Sequence, residues 1–234
     1  MRCCGRGRSA CGAAVAEQLA PALRSAQESG TKIVTIVQEI PDLEADSAIV
    51  FDIEGAYVEA GEFMSKQLPE GGEIGVITCI ASNADSQARI RGFEKGMAPN
   101  IKRVAFGDAK CDPALARTIT ENMLTAHPDL KGIFNNTDLA TVGTIEALRA
   151  AGKDLVVIGG DGQTPNVEFM AEGVIQDAAP RYPSETFGTA AIETAAKIGA
   201  DQIVPKEEDI NPLPLITEEN AAEVLEEIEE LTAG

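Results

Sequence analysis

The chain has 234 residues, 44% of them hydrophobic and 4% aromatic, with no Trp, and its 38 acidic against 19 basic side chains leave a formal charge of −19. That length supports a sizeable core in one large domain or two small ones. The acidic excess repels phosphate backbones and anionic lipid, which excludes nucleic acid and membrane surfaces as partners, and so few aromatics make any stacking surface sparse.

The elements alternate along the chain. Residues 13–29 carry Val15, Leu19, Leu23 and Ala26 at helical spacing before Gly30, which acts as a stop. KIVTIV (32–37) and AIVF (48–51) are short apolar runs of buried-strand type. A helix at 56–68 ends near Pro69, and IGVIT (74–78) is a strand leading through ASNADS to a helix at 85–98. KRVAF (102–106) precedes a helix at 113–126, with Asp112 as its cap and Pro113 in its first turn. GIFNN (132–136) is a strand, 138–151 a helix closed by Gly152, and LVVIGG (155–160) a strand before a helix near 165–172. VIQDAA (174–179) reads as a strand, 184–198 as a helix, PLPLIT (212–217) as an extended piece and 218–231 as a last helix. The final EENAAEVLEEIEE reads as a solvated helix face rather than an interaction tail. Such alternation builds βαβ units, hence an α/β fold with a mostly parallel sheet covered on both faces. The first dozen residues fit nothing around them.

Several chemistries are excluded. Five cysteines, an odd number, do not read as a disulfide framework in a chain of this length. Cys3, Cys4 and Cys11 cluster without completing a zinc pattern. Cys79 and Cys111 read as small hydrophobes at strand or loop ends. The lone His127 stands at a helix end, where the C-terminal dipole suits it. No nucleophile elbow or phosphate loop is present, and GRGRSACG (5–12) follows no predicted strand. No apolar run approaches the roughly 18 residues that span a bilayer, and no signal peptide is visible. No cofactor, no metal and no catalysis is expected.

Polar residues gather where the predicted strands end: Arg89 and Arg91; Asp108 and Asp112; Asn135, Asn136, Thr137 and Asp138; Asp161 and Gln163; Arg181. Each alone reads as a cap or turn residue. Coming from consecutive βα units they converge on one rim, and the mixture of carboxylates, guanidinium and amide suits a ligand with several hydroxyls.

LTAHPDLKGIFNNTDLATVGTIEALRAAGKDLVVIGGDGQTPNVEFMAEG resembles the ribose/galactose-type periplasmic binding proteins, the solute receptors of sugar ABC importers. SQARIRGFEKGM is similar to the family's Arg-rich helix opening, and PLPLITEEN to its closing segment, so the resemblance runs over roughly residues 14–220. It implies a type I periplasmic-binding-protein-like fold of two doubly wound parallel-sheet lobes, with the sugar held in an interlobe cleft and a membrane permease as partner. Residues 1–53 and 182–205 are expected in the N-terminal lobe, and 54–181 and 206–234 in the C-terminal lobe. By the same resemblance Arg89 grips the sugar, and Asp161 accepts its hydroxyls while the flanking glycines let the backbone approach the ligand. Asp138 matches the family pattern. Thr137 stands where Asn is usual, Arg181 where Gln is usual, Val37 and Gln38 where an Asp is usual, and Cys111 near the usual aromatic platform. Gln38, Arg89, Thr137, Asp138, Asp161 and Arg181 are the candidate ligand-binding residues. Arg181 adds a cation, which admits a carboxylate- or phosphate-bearing solute.

Family members also carry βα units ahead of the part matched here, so an incomplete, N-terminally truncated first lobe is expected. MRCCGRGRSACG is then either an out-of-frame start or the beginning of a genuine fragment. A short first-lobe sheet predicts loose order or self-association, and weak ligand affinity. The implied setting is periplasmic or extracellular. Two other readings share the scaffold. The effector-sensing domain of a lactose-repressor-type regulator needs an upstream helix-turn-helix and a basic face. A carbohydrate-processing enzyme needs an acid–base pair, for which Asp108, Asp138 and Asp161 are the candidates.

Overall fold

The computed structural model describes residues 8–10, 16–37, 40, 42–173, 176–210 and 214–232. Gln38, Cys3, Cys4 and Cys11 lie outside the described residues. The chain divides into two compact units, Met1–Asp52 with Pro183–Asn211, and Ile53–Tyr182 with Pro212–Gly234.

Unit 1 holds a four-stranded parallel sheet in the order β1-β2-β3-β9, with β1 Arg8–Ala10, β2 Lys32–Ile36, β3 Ser47–Val50 and β9 Glu207–Asp209. Helices α1 (Ala16–Glu28) and α7 (Ser184–Gly199) belong to it. Ile33, Val34 and Ile49 are buried, and Phe51 meets Phe187 edge-on at 5.5 Å between ring centroids. Two strands escaped the sequence reading. The first dozen residues, expected to fit nothing, supply β1, whose Arg8 pairs with Lys32. The acidic run Glu207–Asp209, expected in the other lobe, pairs with β3 and is secured by backbone bonds from Ala48 to Lys206 (2.8 Å) and from Ile210 to Val50 (2.9 Å). Glu and Asp are poor strand formers, so only pairing at a sheet edge reveals it.

Unit 2 holds a six-stranded sheet in the order β10-β8-β7-β6-β4-β5. Its strands are β4 Gly72–Thr78, β5 Ile101–Asp108, β6 Gly132–Asn135, β7 Val156–Ile158, β8 Ala178–Ala179 and β10 Ile216–Thr217. All pairs are parallel except β10 with β8. Its helices are α2 Ile53–Gln67, α3 Ala84–Gly96, α4 Pro113–Ala126, α5 Asp138–Ala151, α6 Thr164–Ala171 and α8 Ala221–Thr232. The last five residues of β4 and all of β6 are buried, as strands covered on both faces must be. One side of this core stacks Phe93 on Phe134 at 4.1 Å. The other gathers Ile77, Ala116, Met123, Leu130 and Ile133. Glycines set the approach of α2 and α3: a Cβ at Gly92 would overlap the carbonyl of Glu54, and one at Gly96 that of Val58.

No described helix is long and apolar enough to cross a membrane. The expected strands at 155–160 and 174–179 are shorter than predicted: the first ends at Ile158, where Gly159 and Gly160 turn the chain. The second is ladder-paired only at Ala178–Ala179, its first two residues lying outside the described set.

Candidate functional site

The unit 2 strand order fixes where a site can form. The chain runs from β4 outward to β5, then crosses back over β4 to β6. The crossovers on either side of that reversal leave a crevice at the carboxyl ends of β4 and β6, the usual ligand position in open parallel sheets. Backbone N–H of Cys79, just beyond β4, donates to Asn136 Oδ1 at 2.8 Å, and Asn136 N–H donates to the Ile77 carbonyl at 3.0 Å. Arg89 of α3 reaches the same place and donates from Nη1 to the Asn136 carbonyl at 2.8 Å. The helix that carries it starts at Asn83, whose side chain accepts from Ser86 N–H at 3.1 Å.

Arg89 is buried and pairs through Nη1 with Asp161 Oδ1. Its guanidinium carbon lies 5.3 Å from the ring centre of Tyr57 and 4.9 Å from that of Tyr182, so cation–π attraction adds to the ion pair. These are the two tyrosines of the chain. Burial opposes the charge on Arg89, but its pKa is nonetheless raised, with Tyr57 and Asp161 as the main upward contributions. Tyr57 donates to the Gly160 carbonyl, and burial holds its hydroxyl well above the ordinary phenol range. Burial also raises Tyr182, to about 12.

Asp138 and Asp161 are cross-tied. Asp138 N–H donates to Asp161 Oδ2 at 3.2 Å, while Asp138 Oδ1 accepts from Gly160 and Asp161 N–H at 3.1 Å each and its Oδ2 from Gln163 N–H. Burial, with the charge of Asp161 in second place, pushes the Asp138 carboxyl up to about 6. Gly160 makes the close fit: a Cβ there would overlap the backbone of Asn136 and Thr137. The glycine therefore admits a neighbouring loop of the protein itself, where the sequence reading had it admit a ligand.

Three groups converge, then: Arg89, Asp161 and Asp138, with Thr137 adjoining. Thr137 Oγ1 and Arg89 Nε are buried atoms with no hydrogen-bond partner among the described residues, as are Thr78 Oγ1 and Asn136 Nδ2. The other strand-end residues have separate tasks. Arg91 pairs at the surface with Glu54 at 3.1 Å. Asp108 accepts from Ala81 N–H at 3.1 Å and pairs with Lys110. Asp112 caps α4, accepting from Ala114 N–H at 2.8 Å. Asn135 accepts from Thr144 at 2.8 Å. Arg181 is buried with its charge answered by Glu227 of α8, which removes the free cation the sequence suggested.

Cys79 and Cys111 are disulfide-bonded, with Cα atoms 4.4 Å apart, and are not the small hydrophobes expected. They follow neighbouring parallel strands, and that adjacency was the available signal. The tyrosines were missed because Tyr57 sits inside a helix pattern and Tyr182 beside a more conspicuous arginine. Among the described residues no group of three or more His, Cys, Asp or Glu side chains could hold a metal ion.

The family model of the periplasmic binding protein domain matches residues 10–202. The chain is 28% identical over 180 residues to the ribose import binding protein of Escherichia coli, spanning 76% of this chain and 60% of that one. It thus spans about three-fifths of the length of this curated relative. The myo-inositol binding protein of Caulobacter, solved with myo-inositol bound, is similar at TM-score 0.79 and 25% identity, over 91% of this chain and 75% of the other. An ABC transporter periplasmic solute binding protein from Actinobacillus succinogenes with bound D-allose shares the fold at TM-score 0.81 and 23% identity, over 87% and 75% of the two chains.

Proposed function

Because the chain belongs to the periplasmic binding protein domain family, we propose that it is the solute-binding component of a carbohydrate ABC importer, binding a small uncharged polyhydroxylated molecule without transforming it. The observation that carries this reading is the Arg89–Asp161 pair at the β4/β6 crevice, flanked by two tyrosines and by unpartnered polar atoms of Arg89 and Thr137. A sugar ring presents hydroxyls that both donate and accept. Asp161 accepts from them, the guanidinium and Thr137 complete the pattern, and the half-buried Tyr182 ring offers cover for an apolar C–H face, while Tyr57 backs the guanidinium from inside. Arg181 and Asp138 contribute by shaping the rim.

Relatives named for ribose and D-allose, and a neighbour holding myo-inositol, favour ligands of this size and polarity. Arg181 is answered by Glu227, which favours neutral solutes over sugar acids, since a second anion there would displace a carboxylate already in place. The disulfide supports a periplasmic or extracellular setting, because such bonds persist in oxidising compartments. A permease in the membrane is the proposed partner.

Titration calorimetry with D-ribose, D-allose, myo-inositol and D-gluconate tests the reading. A neutral member should bind, and Arg89→Ala and Asp161→Ala should each weaken it by about 100-fold, the loss of a charge-assisted contact that leaves its partner buried and unpaired. Preference for gluconate over every neutral sugar, or unchanged affinity in both variants, overturns it.

A further inference from the structure

Asp138 stands at the first position of α5, yet the groups it binds lie elsewhere in the chain. Its carboxylate receives three backbone N–H groups, from Gly160, Asp161 and Gln163. All three belong to the turn between β7 and α6, and Gln163 is the cap residue of α6. The turn is also tied by backbone bonds from Gly159 N–H to the Ala178 carbonyl and from Tyr182 N–H to the Asp161 carbonyl, 2.8 Å each, and by the Tyr57 hydroxyl on the Gly160 carbonyl, but its own N–H groups at Gly160, Asp161 and Gln163 all go to Asp138. β7 is only three residues long, and Gly162 takes a left-handed φ of +64°. The Asp138 backbone N–H in return orients Asp161 Oδ2, while Asp161 Oδ1 meets Arg89. Both Asp138 oxygens are thus engaged by protein donors.

We propose that Asp138 is a positioning residue: its ionised carboxylate clamps the Gly159–Gln163 turn and so aims Asp161 at Arg89, and protonating it releases the turn. The proposal rests on the reading of Asp161 as a ligand contact only for its functional consequence; the clamp itself stands on the hydrogen bonds. A carboxylate offers acceptor lone pairs on both oxygens, but a carboxylic acid turns one oxygen into a donor. At least one of the three N–H groups then faces a hydroxyl hydrogen, and a buried unsatisfied donor is costly.

The surroundings set the pH at which this happens. Asp161 from the same turn raises the proton affinity of Asp138, as does burial. Arg89 from α3 faces the pair through Asp161, and Tyr57 from α2 and Tyr182 beyond β8 remain neutral below their raised pKa values. Asn166 of α6, which donates to the Asp138 carbonyl at 3.4 Å and to Gln176 at 3.1 Å, does not titrate. The release is therefore centred near pH 6.

Two pH effects of opposite sign distinguish a clamp from general destabilisation. Asp138 has a folded pKa above its unfolded value, so its contribution to global stability is fully present below about pH 4 and is lost as pH rises through about 6. Acidification from about pH 7.5 to about pH 5 therefore favours the folded state through this group while loosening one turn. Asp46 and Asp108, whose pKa values are lowered (burial opposing, hydrogen bonds from Lys32 and Lys110 prevailing), lose their contributions only as pH falls below about 4.

The test is amide hydrogen exchange on the whole chain across that range, corrected for intrinsic rates. Protection at Gly160, Asp161 and Gln163 should fall by about tenfold with a midpoint near pH 6, while core amides of β4 and β6 hold theirs. Asp138→Asn should show low protection at all three amides and no midpoint. A flat profile in the wild-type protein overturns the clamp, as does a fall shared equally by β4 and β6. A step at the turn in a protein that binds none of the tested sugars supports the clamp and defeats the proposed function instead. If Asp138→Asn does not fold, the wild-type titration decides alone.

Discussion

Two turns reach the same rim of the unit 2 sheet and are fastened by different chemistry. The turn after β5, Asp108 to Asp112, is tied by the Cys79–Cys111 disulfide and by backbone bonds from Ala109 to Thr78 (2.7 Å) and from Cys111 to Cys79 (3.1 Å). The turn after β7 has backbone bonds too, from Gly159 to Ala178 and from Tyr182 to Asp161 (2.8 Å each), but no covalent tie: its N–H groups at Gly160, Asp161 and Gln163 go to one carboxylate, and the absence of a Cβ at Gly160 allows the close fit. The first holds two consecutive non-glycine residues, Lys110 and Cys111, at φ of +52° and +57°, a conformation that costs roughly 1 kcal/mol or more at each. A covalent tie can sustain that cost without regard to pH. The second turn uses a glycine, Gly162, where φ is positive and relies on a group that titrates. One turn should therefore answer to reductant and the other to acid.

The largest effect expected from breaking this contrast lies in the disulfide. It links residues 32 apart in sequence, for which the chain-entropy treatment gives about 3–4 kcal/mol. Cys79→Ser with Cys111→Ser, or treatment with dithiothreitol, should lower the urea midpoint accordingly and leave the acid response of the Asp138 turn in place. Equal midpoints for oxidised and reduced protein would assign the stability of that turn to its hydrogen bonds alone.

Gly160→Ala comes next. The added Cβ would overlap backbone atoms of Asn136 and Thr137, which cannot swing aside as a side chain does, and overpacking of this kind costs about 1–3 kcal/mol. Gly152→Ala is the control: its φ is +60° but nothing lies within 4 Å of the new Cβ. Only the conformational penalty applies there, about 1 kcal/mol. A smaller loss at Gly160 than at Gly152 in urea unfolding would mean that the β7–α6 turn does not press on the β6–α5 turn.

The same contrast explains what the sequence revealed. The βα alternation was legible because strands covered on both faces must be apolar, as in IGVIT and GIFNN, and helices must stripe. Asp112 and Pro113 announced α4 locally. Asp161 and Arg89 stood out as polar residues at predicted strand ends, and the structure pairs them. What stayed hidden depends on partners remote in sequence. The disulfide needs β4 and β5 to be neighbours, the task of Asp138 needs a turn more than 20 residues downstream, and β9 needs the open edge of β3. Composition also misled: an odd cysteine number argued against a disulfide framework, and Cys79 and Cys111 read as small hydrophobes, yet that pair is bonded.

The smallest expected effect concerns a contact outside both turns, the Arg181–Glu227 pair. Arg181 is 7% exposed, but Glu227 is 52% exposed and well solvated. Removing the carboxylate leaves the guanidinium close to water that Glu227 already admits, so Glu227→Gln should cost about 1 kcal/mol or less, and less again in about 1 M salt. Because the ion pair removed joins Glu227 to Arg181 and includes no group of either turn, this variant should keep both the reductant and the acid responses of the parent. It should, however, free the Arg181 cation, and so raise the affinity for D-gluconate relative to neutral sugars if Arg181 lies within reach of the bound solute. An unchanged ratio would assign Arg181 to anchoring α8 and leave ligand selection to Arg89 and Asp161.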